Sequence, residues 1–112
     1  MDTSTASTWV EVDLAAIRSN VRALTRLTSA EVMAIVKGNA YGHGLVPVGQ
    51  AALEGGAAWL GVARLEEAQQ LRAGGVRGPI MAMTYTHPSR AGEAAADQIT
   101  LAVYDPDLAR QL

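Results

Sequence analysis

The sequence contains no cysteine. That absence excludes a disulfide framework, a thiolate metal site and a cysteine nucleophile, and it leaves the redox compartment open. Histidine is scarce too: His43 and His87 stand far apart with no paired-ligand spacing between them, so no metal centre is expected. Positive charge is not in excess, with 9 Lys plus Arg against 11 Asp plus Glu and a net charge of -2, and nothing in that balance calls for nucleic acid. The opening residues 1–8 have neither the basic start nor the apolar stretch of a secretory signal, and no later run is long enough to span a bilayer. A cytoplasmic, non-membrane protein with a flexible polar tail over 1–8 is the expectation.

What the chain does have is a lysine set straight after an apolar run. Val32-Met33-Ala34-Ile35-Val36 reads as a buried parallel strand, followed by Lys37 and then by Gly38-Asn39-Ala40-Tyr41-Gly42-His43-Gly44. Lys37 therefore falls where strand gives way to loop, the edge at which α/β folds carry out chemistry. A partly desolvated amine there is a nucleophile toward carbonyl compounds, and an aldehyde cofactor is its natural partner. His43 is expected only to hold its loop.

Around this segment the pattern alternates. Trp9 to Val12 reads as an opening strand, and Asp13 as the N-cap of a helix carrying Leu14, Ile17, Val21, Leu24 and Leu27 on one face, with Arg18, Arg22 and Arg26 on a solvated one. Strands near 31–36, 58–63, 80–83 and 99–103 then alternate with helices near 46–54, 65–73 and 89–96. Asp105-Pro106 opens a last helix. Gly55-Gly56 and Gly74-Gly75 fall at helix ends, where glycine accepts a left-handed conformation. Glu66 and Glu67 suit the N-terminus of the helix they begin better than acid/base work. Successive βαβ units imply four strands side by side in a curved parallel sheet.

The segment Val36-Lys37-Gly38-Asn39-Ala40-Tyr41-Gly42-His43-Gly44 resembles the pyridoxal-phosphate lysine motif of the alanine racemases, departing from it only at Gly38, where alanine is usual. Thr8 to Leu14, Ala51 to Ala57, Ala63 to Ala68 and Leu71 to Val76 resemble further blocks of that family in order and spacing. The resemblance implies an α/β fold that is part of a (β/α)8 TIM-type barrel: about its first four parallel strands with their helices, preceded by an N-terminal strand. A complete barrel takes roughly 250 residues, and half a barrel leaves two bare edges, so residues 9–112 are expected to be the N-terminal part of a longer barrel enzyme.

For function, the resemblance implies a pyridoxal 5'-phosphate-dependent isomerase interconverting L- and D-alanine, with D-alanine destined for peptidoglycan. It makes Lys37 both the covalent cofactor anchor and one of two proton-transfer bases. Tyr41 becomes a donor to the cofactor phosphate, and Ile35 and Met83 become apolar contacts of the cofactor. In that family the second base is a tyrosine of a partner subunit and an arginine attends the pyridine nitrogen, which implies a homodimer and an inactive isolated segment. A barrel protein that holds the cofactor through Lys37 without racemising anything, or an inactive fragment, is the alternative.

Overall fold

The computed structural model describes residues 4–112. Along them run α1 (Leu14–Arg26), β1 (Met33–Ile35), a one-turn α2 (Lys37–Tyr41), α3 (Leu45–Glu54), β2 (Trp59–Val62), α4 (Leu65–Ala73) and β3 (Ile80–Ala82). A 3-10 turn (Pro88–Arg90), α5 (Ala91–Ala96), β4 (Ile99–Leu101) and α6 (Pro106–Gln111) follow. All three strand pairings are parallel and the order is β1-β2-β3-β4, so each strand lies beside its successor. This is the α/β half-barrel arrangement that the sequence implies.

Alternation along the strands divides the sheet into two faces. Leu60, Val62, Ile80, Ala82 and Ile99 point to one face and are buried in a core shared with Val48, Ala52, Leu65, Ala68, Leu71 and Val76 of the helical layer and its loops. The other face carries Met33, Ile35, Gly61, Met81 and Met83, of which only Gly61 is buried. The half-covered second face is what a barrel interior looks like when part of its wall is not there to close it.

The caps form where the sequence puts them. Asp13 accepts from Ala16 N at 3.0 Å, and Asp105 accepts from Leu108 N at 2.7 Å with Pro106 in the first turn. Each helix-ending glycine pair divides its labour. Gly56 and Gly75 take the positive φ values, 112° and 85°, whereas Gly55 (φ -74°) and Gly74 (φ -78°) stay right-handed. The first glycines are needed for closeness instead: a Cβ on Gly55 would sit 2.6 Å from the Arg18 carbonyl, and one on Gly74 would sit 2.7 Å from Val46.

Two sequence expectations need correction. Among the described residues Trp9 to Val12 pairs with no strand, and Trp9 and Val10 are 57% and 84% exposed, because an alternating segment without a ladder partner has nothing to pack on. The apolar stripe of α1 is only half used. Leu14, Ile17 and Val21 pack onto the core, while Leu24 and Leu27 remain exposed because α1 meets chiefly α3. Of the expected tail, residues 4–8 are exposed and residues 1–3 lie outside the described residues. Among the described residues no helix is long and apolar enough to cross a membrane.

Candidate cofactor site at the carboxyl ends of the strands

The parallel ladders continue past the strand ends, with Val36 N donating to Gly61 O at 2.8 Å, Met83 N to Val62 O at 2.8 Å and Thr84 N to Ala63 O at 3.0 Å. The carboxyl ends of β1, β2 and β3 are thereby aligned at one edge. Lys37 stands at that edge immediately after β1, and it is the only lysine in the sequence. It is exposed, so the burial expected to desolvate its amine does not come from the residues described here.

The loop after Lys37 is a turn of unusual hand. Gly38, Asn39, Ala40 and Tyr41 have φ values of 61°, 57°, 54° and 55°, and Gly42 follows at 89°. A left-handed conformation costs a non-glycine residue roughly 1–2 kcal/mol, so three successive non-glycine residues store appreciable strain. Local bonds hold it: Ala40 N donates to Val36 O (2.8 Å), Gly42 N to Gly38 O (3.1 Å) and Gly44 N to Asn39 O (2.9 Å). The Asn39 side chain accepts from Leu45 N at 2.9 Å at the start of α3, and His43 Nδ1 lies 3.0 Å from Ala40 O. His43 thus spends its ring nitrogen on the loop.

The strongest outside support is Glu67. One carboxylate oxygen accepts from Gly38 N at 2.7 Å, and the other accepts from Ala63 N and Arg64 N, both at 3.0 Å. The contact to Arg64 N is the helix-start role expected of this residue, at the N3 position of α4. The bond to Gly38 ties the turn after β1 to α4 across 29 residues of sequence, and no local pattern announces it. Glu66 pairs with Arg90, which also binds Glu93 at 2.6 Å. Its carboxyl is held below the ordinary value by a hydrogen bond from its own backbone N–H first and by Arg90 second.

Lys37, Gly38, Tyr41, Ala63, Arg64, Glu66 and Glu67 line an open cavity of about 570 Å³. That is a volume suited to a small ligand or cofactor. Tyr41 is 63% exposed at its rim. Ile35 and Met83 do not line this cavity but lie on the half-covered sheet face. A Cβ on Gly61 would lie 2.7 Å from Ile35 Cδ1, 2.9 Å from Met33 Sδ and 3.3 Å from Met83 Sδ, so the absent side chain of Gly61 is what lets all three cover its backbone. The Met83 carbonyl accepts from the Tyr104 hydroxyl. Among the described residues no group of three or more His, Asp or Glu side chains gathers as a metal site would require.

A parallel α/β sheet with a lysine at its carboxyl edge has the layout of part of a (β/α)8 barrel, whose chemistry is carried at that edge. The sequence pattern of the alanine racemase N-terminal domain matches residues 12–112. The chain belongs to that family. It is 47% identical over 106 residues to the alanine racemase of Symbiobacterium thermophilum, covering 94% of this chain and 28% of that protein. It is 48% identical over 102 residues to the alanine racemase of Geobacillus stearothermophilus, covering 89% of this chain and 26% of that protein. Among solved structures, the alanine racemase of Bacillus anthracis with bound L-Ala-P superposes with a TM-score of 0.87 at 42% identity, covering 93% of this chain and 28% of that one. The Streptomyces lavendulae enzyme superposes with a TM-score of 0.79 at 49% identity, covering 88% of this chain and 26% of that one. The chain thus spans under a third of the length of these relatives.

Proposed function

We propose that residues 9–112 are the N-terminal part of the barrel domain of a pyridoxal 5'-phosphate-dependent racemase that interconverts L- and D-alanine. The observation that carries this reading is the exposed Lys37 amine at the carboxyl end of β1, opening onto a cavity of about 570 Å³. The donors of the cavity fit the cofactor, one amine for its aldehyde and the Tyr41 hydroxyl for its phosphate, and Ile35 and Met83, which lie outside the cavity lining on the adjoining half-covered sheet face, are assigned as apolar surface for its ring. The cofactor supplies, when bound, an electron-withdrawing ring that stabilises negative charge at the substrate Cα.

The rest of the chemistry falls to side chains. Lys37 Nζ would hold the cofactor through its aldehyde, with loss of water, and as a free amine would move the α-proton on one face of the substrate. Tyr41 Oη donates to a phosphate oxygen, a task its exposed position leaves it free to perform. Racemisation needs a proton moved on the opposite face as well, and Lys37 cannot reach both faces from one strand end. On the resemblance to the alanine racemases, the second base is assigned to a homodimeric partner, and the site to a cytoplasmic enzyme whose D-alanine feeds peptidoglycan. The second reading is cofactor binding through Lys37 without racemisation, which needs the Lys37 amine and no second base.

Treatment of the chain with pyridoxal phosphate and borohydride, followed by mass spectrometry, tests the site. The label is expected on Lys37, and Lys37→Ala should carry none. A folded chain that takes no label contradicts the assignment. Labelling with no racemisation, even in a complete dimer, selects the second reading.

A further inference from the structure

We propose that Glu67 is a positioning residue for Lys37, an inference that rests on the cofactor reading of the site. Its carboxylate is the one side chain that joins the residue after Lys37 to the neighbouring strand end, accepting from Gly38 N at 2.7 Å with one oxygen and from Ala63 N and Arg64 N at 3.0 Å with the other. An N3 glutamate that only capped its helix would reach the N-cap N–H and stop there. Glu67 goes on to Gly38 and Ala63, and all three of its partners flank the cavity that Lys37 opens onto.

The geometry explains why such a strut is needed. Lys37 is followed by four successive left-handed residues, a conformation that persists only where surrounding structure over-determines it. The turn starts from Val36, which β2 holds through Gly61 O, and Ala40 is buried in the core, but the other hydrogen bonds of its left-handed residues run within 36–45. Glu67 adds a tie from the residue after Lys37 to the start of α4 and the end of β2, so the direction of the Lys37 side chain is set relative to the cavity wall. Charge-assisted hydrogen bonds of this kind are the strong ones, and a catalytic amine misplaced by about 1 Å loses much of its reactivity.

The test uses the full chain with Glu67→Ala and Glu67→Gln, and with Arg72→Met as a control destabilised away from the site. Amide hydrogen exchange followed by NMR should show the Gly38 amide exchanging at least about tenfold faster in Glu67→Ala, relative to the Leu60 amide of the core, because one charge-assisted bond is worth about that factor or more. The rate at which pyridoxal phosphate and borohydride label Lys37 should fall by at least about tenfold as well, while Arg72→Met labels at the wild-type rate once matched for folded fraction. Glu67→Gln keeps the size of the side chain but only one accepting oxygen, so it should show both effects in reduced form and carries the test if the alanine variant does not fold. Unchanged Gly38 exchange in a folded variant overturns the proposal, and so does a labelling rate that merely follows stability as in Arg72→Met. A wild-type chain that takes no label, while Glu67 still protects its Gly38 amide, overturns the cofactor reading and supports the strut.

Discussion

Gly38 stands where the family motif carries alanine, and its surroundings show what the difference does. A Cβ there would meet nothing within 4 Å, so alanine fits the space, yet the φ of 61° is one that alanine tolerates poorly. Gly38→Ala is therefore expected to cost about 1 kcal/mol in urea unfolding without any clash, and to leave Lys37 labelling intact. A loss of several kcal/mol would mean that the turn is more tightly packed than this. Glycine at this position relieves strain that the next three residues still carry. Their left-handed geometry could not be read from the sequence, since Asn39, Ala40 and Tyr41 announce no positive φ as glycines do, whereas the place of Lys37 at a strand end was legible from the apolar run before it.

At the scale of elements, α4 is the most legible piece: the expected helix over 65–73 is the observed Leu65–Ala73, because its apolar spacing and its terminal glycines agree. What the spacing does not disclose is the work of Arg72. Its guanidinium donates to Asp97 O (2.9 Å), Val76 O (3.1 Å), Gly78 O (2.8 Å) and Gln98 O (3.0 Å), binding the end of α4 to the loops that enter β3 and β4. Burial, and to a lesser degree neighbouring Arg77, lowers its pKa from the ordinary guanidinium value. Arg72→Met is expected to destabilise the fold by about 2 kcal/mol, measured by denaturant unfolding, because several carbonyls lose a charged donor at once.

The Glu66–Arg90 pair beside α4 gives a pH dependence of definite sign. Because the folded chain holds the Glu66 carboxyl below its ordinary 4.5, the pair stabilises fully above that pH and loses its contribution as pH falls below it through the lowered value. Both groups are solvated, so the effect is small and salt weakens it. Melting curves taken from neutral pH to below 4.5 should show a shallower decline for Glu66→Gln than for the wild type, and the difference should shrink in high salt. The strand expected over Trp9 to Val12 marks the opposite case. Its alternation is a genuine strand signal, but a strand is a pairing and no described segment pairs with it.

At the scale of the whole molecule, the four parallel strands bury one face under helices and leave Ile35, Met81 and Met83 on a face only half covered, with Lys37 at its carboxyl edge. The order of strands and helices was legible because each βαβ unit repeats the same local pattern, and the site lysine because it closes one of those units. The grip of Glu67 on Gly38 was not, because it joins residues 29 apart through tertiary structure alone. The central claim is that this edge is a covalent cofactor site built on the sole lysine of the chain. Its most direct measurement is borohydride reduction in the presence of pyridoxal phosphate with the adduct located by mass spectrometry. One cofactor mass on Lys37, absent from Lys37→Ala, is the predicted result, and a folded chain that carries no adduct there would contradict it.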